Sequence, residues 1–197
     1  MIGQIGTVDM SSQCEQGPIK VKAGLAPFDQ ELDSVRALLT QCADVPIRID
    51  ANGAWNYEQT QVMCALLETH PHTILEQPMP ADAFSELDKI QANTNTIIAL
   101  DESTILDPET ALDTQCKELV IKPMCVGGFS AGRRLVQRSQ DASKQVSITH
   151  VLEGRVGRAG TAHFAAGVKG AAIHGVRFDD HRGSVDISSD IGHGVVL

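Results

Sequence analysis

Residues 47–55, Ile-Arg-Ile-Asp-Ala-Asn-Gly-Ala-Trp, decide how this chain is read, because a short apolar run closes there on an acid, Asp50. The same device recurs on both sides. Upstream, Ile-Lys-Val-Lys at 19–22 closes on Lys22; downstream, apolar runs close on Glu76, Asp101 and Lys122. The five charges stand 28, 26, 25 and 21 residues apart. One strand, one helix and two short loops fill about 25 residues, so each charge marks the C-terminal end of a strand in consecutive βα units. Parallel barrels keep their chemistry at that end.

Working outward, candidate strands cover 2–7, 19–23, 46–50, 73–76, 96–100, 118–121, 145–149 and 172–176. Helical stretches lie between them. Leu32, Val35, Leu38 and Leu39 form a stripe at helical spacing, further helices are expected from Asp107, Ser130 and Gly157, and Pro108 sits where a first helical turn tolerates it. Eight parallel strands favour a closed (β/α) TIM-type barrel over an open sheet, since closure leaves no strand edge. The barrel is expected over residues 1–178, followed by a polar, Gly/Ser-rich tail over 179–197. The first crossover, residues 8–18, is near the minimum length for a parallel connection, so its helix is expected to be short or missing.

The formal charge is −9 and the basic residues form no run, which argues against a surface that tracks nucleic-acid phosphates. Five cysteines without a CxxC pair predict reduced, packed thiols rather than a disulfide scaffold or a zinc ribbon. No stretch of 18 apolar residues occurs and no leader is evident at the N-terminus, so the expectation is a soluble, cytoplasmic protein without a membrane partner.

In a closed barrel Asp50, Glu76 and Asp101 converge on one mouth. Three carboxylates there repel one another unless a cation lies between them, and all-oxygen ligation favours a hard divalent ion such as Mg2+. Taken singly, each could be a solvated loop acid or a helix cap; three in phase favour the shared cation. Lys20 and Lys22 share one strand face, so both amines point into the barrel unless they are edge-strand lysines that discourage aggregation. Lys122 stands on the far side of the three acids. A metal flanked by amines suits removal of a proton from the carbon next to a carboxylate, because the ion and the remaining ammonium stabilise the developing charge.

These motifs, KVK at 20–22, DANGAW at 50–55, LEQP at 75–78, ALDES at 99–103 and IKPMCVGGFS at 121–130, resemble the muconate-cycloisomerase branch of the enolase superfamily. Within that branch the chain is most similar to the o-succinylbenzoate synthase family. The resemblance spans about residues 19–176. It implies Asp50, Glu76 and Asp101 as Mg2+ ligands, Lys22 as the base, Lys20 as its electrostatic aid, and Lys122 as the amine that stabilises the enediolate. It further implies dehydration of 2-succinyl-6-hydroxy-2,4-cyclohexadiene-1-carboxylate in menaquinone biosynthesis. Members of the family carry an N-terminal α+β capping domain, which this sequence has no room to encode, so a fragment or a catalytically silent barrel is a competing expectation. Racemases, dipeptide epimerases and cycloisomerases of the same branch share the motifs.

The seventh strand departs from the family in reading Ile-Thr-His-Val-Leu-Glu-Gly-Arg. Thr149 and His150 are candidate donors to the carboxylate of a small-molecule substrate, though a packed or solvated imidazole is the commoner fate of such a histidine. His163 and His174 are weaker candidates. Asn52 is a candidate substrate-binding residue or an orienter of a carboxylate or lysine, while Trp55 is expected to anchor its loop by burial. Gly127 and Gly128 read as a tight βα turn rather than a phosphate cradle. The eighth strand lacks the DxD pair of dipeptide epimerases. A large apolar mouth would be covered by self-association into a homo-oligomer.

Overall fold

The computed structural model describes residues 2–4, 18–151, 153–169 and 175. Seven strands, β1 (Ile2–Gln4), β2 (Ile19–Lys22), β3 (Ile47–Asp50), β4 (Thr73–Glu76), β5 (Ile97–Leu100), β6 (Glu118–Ile121) and β7 (Gln145–Ile148), lie side by side in chain order. Every neighbouring pair is parallel. The helices are α1 (Phe28–Gln41), α2 (Tyr57–Leu67), α3 (Phe84–Gln91), α4 (Glu102–Leu106), α5 (Pro108–Asp113), α6 (Phe129–Asp141) and α7 (Arg155–Ala166). None is long and apolar enough to cross a membrane.

Period-two alternation sorts the strands into two faces. Val21, Ile47, Ile49, Leu75, Ile98, Leu119, Ile121 and Ile148 are buried on one face, in the same core cluster as Val35, Leu39, Met63, Leu67 and Leu87 from the helices. The opposite face carries Lys20, Lys22, Arg48, Asp50, Glu76 and Glu118. Across a flat sheet β3 and β6 would stand about 14 Å apart, three strand spacings. Yet Arg48 on β3 donates to Glu118 on β6, so the sheet curls with its polar face inside, a (β/α) half-barrel among the described residues.

The seven strands fall within a residue or so of their expected places where they are described. Beyond residue 169 only Gly175 is described; it bridges to Thr149 in parallel, where the eighth strand was expected at 172–176. The first crossover and the 179–197 tail lie outside the described residues, as does His174. The helix expected from Asp107 is α5: Asp107, extended, caps it by accepting from Glu109 and Thr110, with Pro108 in its first turn, while the short α4 that Asp107 ends is an addition to the expected set. Gly127 and Gly128, at φ 98° and 89°, make the tight turn into α6.

The cysteine expectation needs correction. Cys64, Cys116 and Cys125 are free, and burial pushes the Cys64 and Cys116 thiols up to about 12 and about 11. Cys42 is disulfide-bonded.

Trp55 anchors its loop as expected: it is buried and meets Phe28 edge-on at 5.5 Å. What holds it is Glu31, a buried acid on the apolar stripe of α1. One Glu31 oxygen accepts from the backbone N–H groups of Leu25 and Ala26 at 2.7 and 3.1 Å, and the other from Trp55 Nε1 at 2.9 Å. One carboxylate thus ties together the loops after β2 and β3. Glu31→Ala leaves three donors without their acceptor and is expected to lower the unfolding free energy by about 3 kcal/mol. Urea denaturation monitored by the fluorescence of Trp55 checks this; a loss below about 1 kcal/mol, the worth of one ordinary hydrogen bond, contradicts it.

Candidate active site

Parallel strands put their C-terminal residues at one end of the barrel, and the register fixes which of them are neighbours. Lys22 pairs with Asp50 and Asp50 with Glu76, each the last residue of its strand. Asp101 comes directly after β5 and Lys122 directly after β6. The side chains of the first three of these strands meet: Lys20 Nζ lies 2.9 Å from Asp50 Oδ2 and 2.8 Å from Glu76 Oε1, and Lys22 Nζ lies 2.8 Å from Asp50 Oδ2. On the other side Lys122 Nζ donates to Asp101 Oδ2 at 2.7 Å. The three carboxylates are thereby flanked by amines from β2 and from the end of β6.

These acids are almost fully buried, with Asp50 and Glu76 each 1% exposed and Asp101 3%. Burial alone raises a carboxyl pKa and lowers an amine's. At Asp50 burial pushes upward, but Lys20 and Lys22 outweigh it and hold the carboxyl below its ordinary range. At Lys20 burial pushes downward, and Glu76 and Asp50 outweigh it to hold the ammonium above its ordinary range. Asp101 differs: burial, reinforced by the Glu76 and Glu102 charges, overcomes the pull of Lys122 and lifts the carboxyl to about 6.

Three further residues arrange the site without belonging to the expected set. Arg48, two residues before Asp50, donates to Glu76 Oε2 at 3.0 Å and reaches across the lining to Glu118, which is fully buried. Strand alternation, which puts Lys20 beside Lys22, also puts Arg48 beside Asp50 and Glu118 on the face of Lys122, and is the signal by which both could have been found. Gln77 gives no such signal. Its buried amide donates to Met79 O and Ser103 Oγ and accepts from the N–H groups of Asp101 and Ser103, lacing the end of β4 to the end of β5. It does so at φ 36°, a conformation unusual for a residue with a side chain.

Asn52 joins the group, accepting from Lys22 Nζ through its side-chain oxygen. Thr149 and His150 are engaged elsewhere. Thr149 Oγ1 donates to Gly175 O at 3.0 Å, while His150 Nδ1 lies 2.7 Å from Val151 O and 3.5 Å from Glu153 Oε2. His163 lies within α7. Among the described residues no three Asp, Glu, His or Cys side chains are grouped as a metal site. The donor set nonetheless suits a hard cation, since it is all oxygen and Asp101 Oδ1 is buried with no hydrogen-bond partner.

The Enolase C-terminal domain-like family matches residues 12–196. An o-succinylbenzoate synthase of Desulfotalea psychrophila is 31% identical over 158 residues, 76% of this chain and 43% of its own length. An L-amino acid-D/L-Glu epimerase of Sulfurimonas denitrificans is 27% identical over 139 residues, 69% of this chain and 40% of its own. Among solved structures, the muconate lactonizing enzyme from Pseudomonas putida superposes with a TM-score of 0.76 at 22% identity, over 87% of this chain and 52% of that one. The chain spans about half the length of these relatives or less, and what it matches is their C-terminal barrel.

The raised pKa of Asp101 has a definite sign in stability. An unfolded aspartate ionises near 3.8, so between that pH and about 6 the folded state holds the extra proton. Stability contributed by Asp101 therefore falls as pH rises through this window and stays low above it. The difference in unfolding free energy between Asp101→Asn and the parent, without added metal, is expected to shift in favour of the variant by on the order of 2 kcal/mol from pH 4.5 to pH 8. Denaturant unfolding at both values tests it, and a difference that stays flat with pH rejects it.

Proposed function

Because the chain belongs to the Enolase C-terminal domain-like family, we propose that it removes a proton from the carbon adjacent to a substrate carboxylate. The observation that carries this reading is the placement of amines from β2 and β6 on either side of the three buried acids. Asp50, Glu76 and Asp101 would hold Mg2+, and the bound ion would supply Lewis-acid polarisation of the substrate carboxylate. Lys22 takes the α-proton, leaving an enediolate. Lys20, held between Asp50 and Glu76, contributes positive charge beside the base. Lys122 faces the intermediate from the other side and stabilises its negative charge.

We assign the overall reaction to dehydration of the o-succinylbenzoate synthase type, in menaquinone biosynthesis. After the α-proton leaves, the C–O bond to the neighbouring hydroxyl breaks, Lys22 returns its proton, and water departs. The relative at 31% identity supports this choice. A second reading, 1,1-proton transfer by an epimerase, is favoured by the amines on opposite sides, which permit removal from one face and return to the other, and by the epimerase among the relatives.

The experiment is solvent deuterium incorporation at the α-carbon with Mg2+ present. The substrates are the cyclohexadiene carboxylate, dipeptides and N-acylamino acids. Lys22→Ala is expected to reduce exchange or turnover by about 1,000-fold, within the range general-base catalysis supplies. Dehydration of the cyclohexadiene carboxylate supports the lyase, and exchange confined to dipeptides or N-acylamino acids supports the epimerase or racemase. No exchange with any of them from a folded protein that binds Mg2+ identifies a silent barrel and overturns both.

A further inference from the structure

We propose that Glu102 is a positioning residue for Lys22, acting through the side-chain amide of Asn52. The inference rests on the reading of Lys22 as the base. Asn52 sits between two groups of opposite hydrogen-bonding character. Its Oδ1 accepts from Lys22 Nζ, and its Nδ2 donates to Glu102 Oε1 at 2.9 Å. An ammonium can only donate and a carboxylate can only accept, so the amide satisfies both neighbours in one orientation alone. Turned by 180°, it would set its NH2 against the ammonium and its oxygen against the carboxylate.

The rest of the geometry shows why that orientation needs a partner such as Glu102. The Asn52 backbone is already held at φ 47°, in the left-handed region asparagine tolerates, with its N–H donating to Asp50 Oδ1 at 3.2 Å. The side-chain amide still has to be oriented, and its hydrogen bond to Glu102 favours the orientation that presents Oδ1 to Lys22. The other Glu102 oxygen is buried and makes no hydrogen bond, so the side chain's hydrogen bonding in this structure goes to Asn52. Glu102 opens α4 directly after Asp101, 50 residues along the chain from Asn52. The link therefore sets the amine on β2 by reference to the wall formed at β5. Lys22 Nζ is left with two fixed acceptors, Asp50 Oδ2 and Asn52 Oδ1, which define where its remaining N–H direction points.

The test compares the parent with Glu102→Gln and Glu102→Ala, in two arms. Glutamine keeps an oxygen acceptor for Asn52 Nδ2 and loses only the charge; alanine loses both. In the first arm the side-chain amide of Asn52, labelled with 15N and assigned by its loss in Asn52→Ala, is monitored by NMR without substrate. Because Asn52 is exposed, the readout is chemical shift: the Nδ2 proton that faces Glu102 is expected displaced from the free-amide position in the parent and in Glu102→Gln, and returned to it in Glu102→Ala. In the second arm, Mg2+-dependent α-proton exchange is expected to fall about 30-fold in kcat for Glu102→Ala with KM little changed, the effect of a misplaced catalytic group. Glu102→Gln is expected to recover most of that loss.

An Asn52 amide whose proton shifts are alike in all three proteins overturns the proposal, as does a glutamine variant as impaired as the alanine one, which would assign Glu102 a role through charge. If Glu102→Ala does not fold, Glu102→Met, similar in size and without an acceptor, replaces it. Absence of exchange in the parent with every acid would sink the proposed reaction and with it the role of Lys22 as base, while the amide arm still decides whether Glu102 fixes Asn52.

Discussion

Everything in this barrel depends on keeping charged groups buried together without letting any stand alone. An unpaired carboxylate or ammonium inside a protein is destabilising by several kcal/mol. The lining of β2–β6 solves this by register: amine beside acid beside acid, with Lys22, Asp50 and Glu76 facing one another across adjacent strands. A slip of one residue in any of these strands would turn its charges into the apolar layer under the helices. The same arrangement that makes the site chemically capable therefore also selects the strand pairing.

The order of strands, the positions of most helices and the five charges at the strand ends were legible in the sequence because each rests on a short-range periodicity. Lys20 and Lys22 were placed on one face by alternation alone, and both lie against acids on that face. Glu31 was hidden by position: it sits on the buried stripe of α1, where an apolar residue is the natural expectation, and its role depends on donors from two loops. Gln77 was hidden for another reason, since neither its backbone angle nor its four hydrogen bonds can be inferred from the apolar pattern around it. Thr149 illustrates the reverse, a donor whose hydrogen is taken by a strand neighbour that its own segment does not reveal.

Similarity to both a synthase and an epimerase is the pattern expected when the proton-removing apparatus is shared and the reactions diverge at a later step. Cleavage of a C–O bond and return of the proton to the opposite face demand different substrates but the same first step. In the proposed reaction the lysines and carboxylates serve that first step. Discrimination must come from groups that touch the rest of the substrate.

The bridge from Arg48 to Glu118 joins residues 70 apart in sequence. On a ribosome, which delivers the chain from its N-terminus, β2, β3 and β4 emerge with Lys20, Lys22, Arg48, Asp50 and Glu76 long before Glu118 appears. A nascent half-sheet can pair its lysines with its own acids, but its curvature cannot be pinned until β6 closes the distance. The polar lining thus acts as a late checkpoint of synthesis: the wall that carries Lys20, Lys22, Asp50 and Glu76 takes its final shape only once the opposite wall has been made.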